Sequence, residues 1–224
     1  MMRLWPLIGL SALFAVFAFA CKGGGGGDNT PTDQTPSSSP AADATPKTYS
    51  ERPPVTISKD KKYTAVVETS KGTFRIELRP DLALETVNSF VFLAREGFFD
   101  GVTFHRVIRG VASRPDFVAQ TGDPTGTGSG GPGYSLPAEF SDEPYVRGTV
   151  GMARRGDDIN SAGSQWFVTY TDQYQSALNS QYTVFGKVTE GMEIVDTLTP
   201  RDPSNVATPQ PEGDTIISVE IVEA

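Results

Sequence analysis

Phe98-Phe99-Asp100-Gly101-Val102-Thr103-Phe104-His105-Arg106-Val107-Ile108 is the stretch whose reading decides the fold. Gly97 and the Asp100-Gly101 pair punctuate its start, and the run from Val102 to Ile108 reads as a strand. Side chains alternate across a strand, so Phe104, Arg106 and Ile108 are expected on one face and His105 with Val107 on the other. His105 is the only imidazole in the chain, so any Ser-His-Asp or Cys-His chemistry would have to use it. A lone His beside Val reads instead as a hydrogen-bonded structural residue.

Regular patterns continue on both sides. Val87, Phe90, Val91 and Ala94 recur at helical spacing, with Gly97 placed to stop the helix. Before them, Tyr63–Thr69 and Thr73–Leu78 alternate apolar with polar around Ser70-Lys71-Gly72, the pattern of a β-hairpin. Further strand-like runs follow at Phe117–Gln120, Thr149–Ala153, Trp166–Tyr170 and Thr183–Val188, separated by Gly, Pro and Asp turns. Met192–Leu198 offers a second, short amphipathic helix, and Thr215–Val222 alternates again as a closing strand. Many short strands with two helices predict a mainly β domain, a barrel or sandwich capped by helices. No period of solenoid length is visible.

Composition narrows the chemistry. The 224 residues carry 27 acidic and 19 basic side chains, a formal net charge of −8, one Cys and one His. That balance argues against a sequence-independent nucleic-acid partner, which needs a basic face to displace counterions. One Cys excludes an intrachain disulfide, and one Cys with one His excludes the usual zinc frameworks, so no metal is expected. Gly126-Thr-Gly128-Ser-Gly130-Gly131 satisfies a G-x-G-x-x-G pattern, but Pro132-Gly133-Tyr134 follows where a dinucleotide site needs a helix N-terminus. The segment reads as a Gly-rich loop, and no cofactor is expected.

The N-terminus has another character. Arg3 precedes an uncharged apolar run from Leu4 to Ala20, and Ala18-Phe19-Ala20-Cys21 ends it. Residues 1–20 read as a secretory signal. Cys21, the only Cys, directly follows the small residue and resembles the acylated Cys of a bacterial lipoprotein lipobox, with Ala18 in place of the usual Leu. Acyl chains there would anchor the protein without a transmembrane helix. The other readings are a secreted protein with an incidental Cys and an uncleaved anchor, for which the run is marginal in length. Residues 21–58, with five consecutive Gly from Gly23 and then Pro31, Pro36, Pro40, Pro46, Pro53 and Pro54, hold too few apolar side chains to offset the entropy of ordering. They read as a disordered tether, and residues 59–224 as one domain.

Several ordered motifs now make a family visible. Phe98–Ile108 closely resembles the signature of the cyclophilin peptidyl-prolyl isomerases. Gln120-Thr-Gly122-Asp123-Pro-Thr-Gly-Thr-Gly, Gly148-Thr-Val-Gly-Met152-Ala153, Gly163-Ser164-Gln165-Trp166-Phe167 and Tyr182-Thr-Val-Phe-Gly186-Lys187-Val follow in the family's order. Together they run from about Tyr63 to Val222. The resemblance implies an eight-stranded antiparallel closed β-barrel capped by two α-helices, its interior filled with side chains and its active site in a groove outside. It implies a cofactor-free enzyme that accelerates rotation about X-Pro bonds.

Position by position, Arg106 matches the family's catalytic Arg, Gln120 the residue that holds this Arg and the substrate carbonyl, and Phe117 the proline-pocket Phe. Val118, Phe167 and Leu178 match the rest of the pocket wall. Met152, Ala153, Arg154, Gln165 and Tyr182 match the substrate groove. The implied partners are proline-containing peptides and unfolded or exported proteins. Together with Cys21, the implied setting is the bacterial cell envelope outside the cytoplasm, lipid-anchored or, alternatively, secreted or periplasmic and soluble. A monomer is expected.

The chain departs from the pattern in three places. Phe117 lies eleven residues after Arg106, a longer spacing than the family's, with the extra residues around Val111-Ala-Ser-Arg-Pro-Asp116. Either the insertion bulges and leaves Phe117 in the pocket, or Val111 takes its place. Ala177 stands where many eukaryotic members have a Trp that contacts cyclosporin, which implies weak inhibition by that ligand. Arg154 replaces a small polar residue and, with Arg155, Arg109, Arg114 and Arg147, suggests a basic rim that favours acidic residues near the proline. The alternative to catalysis is a proline-peptide-binding chaperone or scaffold module.

Overall fold

In the computed structural model, residues 46–110, 115–205 and 209–224 are described. The expected leader, Cys21, the tether up to residue 45 and Val111–Arg114 of the insertion lie outside them.

The hairpin forms where alternation places it. β1 (Tyr63–Thr69) and β2 (Gly72–Leu78) pair from Tyr63 with Leu78 to Thr69 with Gly72. Tyr63, Ala65 and Val67 share the buried face with Phe74, Ile76 and Leu78. Next comes α1 (Leu84–Arg95), which buries Val87, Phe90, Val91 and Ala94 and ends at Gly97, whose N–H donates to Ala94 O at 2.9 Å. No side chain of its own caps its N-terminus; the Glu139 carboxylate accepts from the N–H groups of Glu85 and Thr86 at 3.1 and 2.8 Å instead.

The remaining elements are β3 (Arg106–Val107), β4 (Val118–Thr121), β5 (Thr149–Met152), β6 (Trp166–Thr169), α2 (Gln175–Leu178), β7 (Val184–Glu190), α3 (Met192–Val195) and β8 (Ile216–Glu223). The eight strands form one antiparallel sheet in the order β3-β4-β6-β5-β7-β2-β1-β8. Its edges meet. Gly101 N–H donates to Ile216 O at 2.8 Å, Ile216 N–H to Val102 O at 2.9 Å, and Phe104 N–H to Asp214 O at 2.8 Å. The sheet thus curls on itself, which removes an exposed edge that would otherwise invite pairing with other chains. Inside, Phe90 of α1 sits 5.1 Å from Phe99, 5.9 Å from Trp166 and 5.3 Å from Phe185, ring to ring, so side chains fill the barrel.

Three expectations are corrected. Helices number three rather than two among the described residues, because the four-residue α2 is too short to leave a periodic signal. The run Val102–Ile108 is not one strand: a single bridge at Thr103 is followed by two residues outside any ladder before β3. The pleat is broken there, so Phe104 faces the interior with Val107 while Arg106 faces outward. Finally, ordered structure begins before residue 59. Tyr49 packs on Phe92 at 5.0 Å, Thr56 N–H donates to Asn88 Oδ1 at 2.9 Å, Asn88 Nδ2 donates to Pro54 O at 3.0 Å, and Arg52 pairs with Glu85 at 2.6 Å. Residues 47–58 form a strap along α1, which supplies the apolar and polar partners that the segment lacks by itself.

Candidate active site

The strand register builds the site. Arg106 lies opposite Gln120, Gln120 opposite Phe167, Phe167 opposite Gly151, and Gly151 opposite Val184, a single row across β3, β4, β6, β5 and β7. The neighbouring row, Val107, Ala119, Val168 and Val150, is fully buried in the barrel interior. Alternation across the pleat therefore turns the first row to the outside.

An apolar cluster distinct from the barrel core covers part of that outer row. Phe167 and Val184 join Val118, Tyr145 and Leu178, with Phe117, Leu82, Ala153, Tyr174 and Tyr182 packed around them. Gly151 makes room for it. A Cβ there would lie 2.1 Å from the Tyr145 hydroxyl oxygen and 2.8 Å from Phe167 Cζ, so only a residue without a side chain lets these rings lie on the strand. Tyr145 stacks on Phe167 at 5.7 Å and donates to Thr183 O at 3.2 Å. Burial pushes its phenol well above the ordinary range, so it stays protonated.

At one end of this cluster stands the Arg106 guanidinium, 5.5 Å from the Phe117 ring centroid. Its Nη1 donates to Gln120 Oε1 at 3.4 Å, and Gln120 Nε2 donates to Gln165 Oε1 at 3.0 Å. Gln165 Nε2 in turn donates to the carbonyls of Gly128 and Gly130 at 3.0 and 2.9 Å. Those glycines belong to the Gly-rich loop, which is organised by one carboxylate. The fully buried Asp123 accepts from Gly128 N–H at 2.5 Å, Gly130 N–H at 3.1 Å and Thr125 N–H at 2.7 Å. Burial alone would raise its pKa, but these bonds and the Thr125 hydroxyl hold it below the ordinary value, so the loop wraps an anion at physiological pH.

His105 is buried beneath this loop, and neither ring nitrogen has a hydrogen-bond partner among the described residues. Where the sequence predicts a hydrogen-bonded structural histidine, the structure has a buried one whose ring nitrogens are unpartnered among the described residues. Burial lowers its pKa, with nearby Arg106 and Arg201 adding to the effect and Asp123 opposing it, so the imidazole is neutral at physiological pH.

The insertion leaves its flanks paired. Phe117 N–H donates to Ile108 O at 2.8 Å, Ile108 N–H to Val118 O at 2.9 Å, and Gly110 N–H to Asp116 Oδ1 at 2.7 Å. The ladder of β3 and β4 thus extends past both strands and delivers the Phe117 ring to Arg106, while Val111 lies outside the described residues. Phe117 also packs on Tyr174 at 4.4 Å. Tyr182 meets Phe167 edge-on at 5.8 Å, and Arg154 lies over the Tyr182 ring at 4.8 Å. A cavity of about 730 Å³ adjoins at Gln120 and is walled by Gln165, Ala153, Arg154, Thr48 and the loop from Gly128 to Ser135.

Of the residues expected in the site, Arg106, Gln120, Phe117, Val118, Ala153, Arg154, Gln165, Phe167, Leu178 and Tyr182 come together. Met152 does not, because alternation along β5 puts its side chain in the barrel interior. The basic rim is also not a unit. Arg155 pairs with Asp157 and Asp158, Arg109 with Asp116 and Asp196, and Arg147 with Asp196. Tyr145, Tyr174, Leu82 and Val184 were missed by sequence reasoning, since they reach the cluster through long-range packing that no local pattern signals. Among the described residues no cluster of His, Cys, Asp and Glu is arranged to hold a metal, and no helix is long and apolar enough to cross a membrane.

An outward apolar cluster beside a guanidinium tied to Gln120 sets an apolar surface and a charged hydrogen-bond donor side by side. Comparison with known proteins gives the family. Residues 64–221 match the family described as cyclophilin type peptidyl-prolyl cis-trans isomerase/CLD. A peptidyl-prolyl cis-trans isomerase of Synechococcus elongatus is 41% identical over 160 residues, 70% of this chain and 95% of the relative. Isomerase B of Bacillus subtilis is 45% identical over 128 residues, 56% of this chain and 82% of the relative. A crystal structure of a Cryptosporidium parvum cyclophilin type isomerase superposes with TM-score 0.62 at 31% identity, over 72% of this chain and 98% of that one. The same protein was also solved in the presence of the dipeptide Ala-Pro. With its outward row of Arg106, Gln120 and Phe167, the chain belongs to the cyclophilin-type peptidyl-prolyl cis-trans isomerases.

Proposed function

We propose that this isomerase works by aiming the Arg106 guanidinium at the prolyl nitrogen of a substrate whose ring lies against Phe117, Val118, Phe167 and Leu178. The observation that carries this reading is the placement of Arg106, directly beside the Phe117 ring and tied to Gln120. An X-Pro bond turns slowly because amide resonance imposes a barrier of about 18–20 kcal/mol. Rotation pyramidalises the nitrogen and localises its lone pair, so a donor aimed there binds the twisted state better than either planar one. A guanidinium remains charged at any working pH and needs no proton exchange. Lowering the barrier by about 7 kcal/mol gives roughly 10⁵-fold acceleration. Exchange between cis and trans forms of a prolyl peptide, followed by NMR with Arg106→Ala as control, tests the reading. Peptide binding without acceleration would convert it to a binding module.

Residues 3–21 support a setting outside the cytoplasm, with acylated Cys21 as anchor and exported chains as clients. Metabolic labelling with a fatty acid is expected to mark the full-length parent protein and not Cys21→Ser. A parent protein that takes up no label would exclude the lipid anchor.

A further inference from the structure

The Gly-rich loop that walls the cavity is held from two sides, by different parts of the chain. Asp123 holds its inner end, the Gly128 and Gly130 backbone that supports Gln165. Its outer end, Pro132-Gly133, is held by the strap ahead of the barrel. Tyr49 N–H donates to Pro132 O at 2.8 Å. Gly133, at φ +95°, approaches so closely that a Cβ would lie 2.4 Å from Tyr49 O, and a side chain would force the two segments apart. The Tyr49 ring anchors the contact, edge-on to Phe92 at 5.0 Å and 6.5 Å from Phe98. Its buried hydroxyl has no partner among the described residues, so there the ring holds the strap by packing. The residue before it, Thr48, lines the cavity together with Gln120, Gln165 and Arg154.

Resting on the isomerase reading, we propose that Tyr49 is a positioning residue for substrate selection: by pinning Pro132-Gly133, the strap sets the outer wall of the cavity and so favours peptides that extend beyond the X-Pro unit. Through Thr48 the strap thus reaches the lip of the cavity and not a remote face of the domain. The inner pin keeps Gln165 and Gln120 in place, so losing the outer pin spares the reacting end of the groove.

The test compares a blocked tetrapeptide containing one proline with a decapeptide carrying proline at its centre, using full-length protein. For Tyr49→Ala, kcat/KM on the decapeptide is expected to fall by about 5-fold through KM, with under about 2-fold change on the tetrapeptide. Tyr49→Phe, which keeps the ring and loses only an unpartnered hydroxyl, is expected to retain the parent ratio. Should Tyr49→Ala fail to fold, Gly133→Ala parts the same contact from the loop side and is expected to shift the ratio in the same direction. An unchanged ratio, or an equal fall on both peptides that tracks a lower Tm, overturns the proposal and leaves the isomerase reading intact. A parent protein that accelerates neither peptide overturns both.

Discussion

Arg106 and Gln120 face each other across the β3–β4 ladder, and their side chains meet on its outer side, Nη1 to Oε1 at 3.4 Å. This register places an invariably charged donor beside the Phe117 ring and holds it from behind by an amide whose own donor goes to Gln165. The register and this hydrogen bond set where the cation stands, and a donor held in place is what the proposed mechanism requires.

Arg106→Ala is expected to lower kcat/KM by about 10²–10³-fold, the cost of one lost transition-state donor. Arg106→Lys should recover only part, because an ammonium cannot keep the fork geometry that meets Gln120 and substrate together. Arg106 lies on the outer side of the sheet, so Tm should shift little in either variant. Activity of Arg106→Ala within 3-fold of the parent, roughly the span of an ordinary surface change, would remove Arg106 from the mechanism.

Gly151→Ala puts a methyl where Tyr145 Oη and Phe167 Cζ already are. We expect a loss of about 1–3 kcal/mol of stability and a raised KM, because both rings of the apolar cluster must shift. Adding Tyr145→Phe removes the atom at 2.1 Å and should restore part of both. Equal denaturation midpoints for parent and Gly151→Ala would show that the rings are free to move.

Much of the fold was legible in the sequence, and part of the site was not. The β1–β2 hairpin and α1 follow from local periodicity, and the resemblance brought Arg106, Gln120 and Phe167 into view at once. What a pattern cannot supply is which residue sits opposite which. The resemblance puts Met152 in the groove although alternation along β5 turns it inward, and a broken ladder looks continuous in one dimension, which puts Phe104 with Arg106. Tyr49 was hidden for another reason: its partners Phe92 and Phe98 lie on and after α1, and a Pro-rich segment beside a Gly tract reads as tether until such a surface is supplied.

Asp123→Ala removes the anion that gathers the Gly128 and Gly130 N–H groups, which frees the carbonyls that hold Gln165. A fall of about 10-fold in kcat is expected on short and long peptides alike, which separates this inner pin from Tyr49. Asp123→Asn should lie between parent and Asp123→Ala, since one amide oxygen still accepts. A kcat for Asp123→Ala equal to the parent's would break the proposed chain from loop to Arg106.

His105 gives the stability curve a predictable sign. In the folded chain burial holds its pKa below the ordinary 6.5, while the unfolded chain takes up its proton near that value. Below pH 6.5 the unfolded state therefore binds more protons, and stability falls as pH drops until the folded pKa is reached. The slope from this one group is at most about 1.4 kcal/mol per pH unit. Urea unfolding at pH 8, 7, 6 and 5 should show the fall in the parent and a shallower one in His105→Gln. Superimposable slopes would mean that the imidazole titrates alike in both states.

Arg154 carries the remaining expectation about charge. Its Nε donates to Gln181 O at 2.9 Å and its Nη1 to Arg155 O at 2.8 Å, and the plane lies over Tyr182, so the cation is fixed on the cavity wall. No carboxylate is paired with it among the described residues, whereas Arg155, 67% exposed, is shared between Asp157 and Asp158. A peptide with Glu near the proline is therefore expected to outperform its Lys counterpart by roughly 2–5-fold, the range of a solvent-accessible ion pair. Arg154→Ala should abolish the preference, Arg155→Ala should leave it, and added salt should shrink it in the parent. A preference that survives Arg154→Ala, or one lost equally in both variants, would place the discrimination in the net field of the domain and away from this one guanidinium.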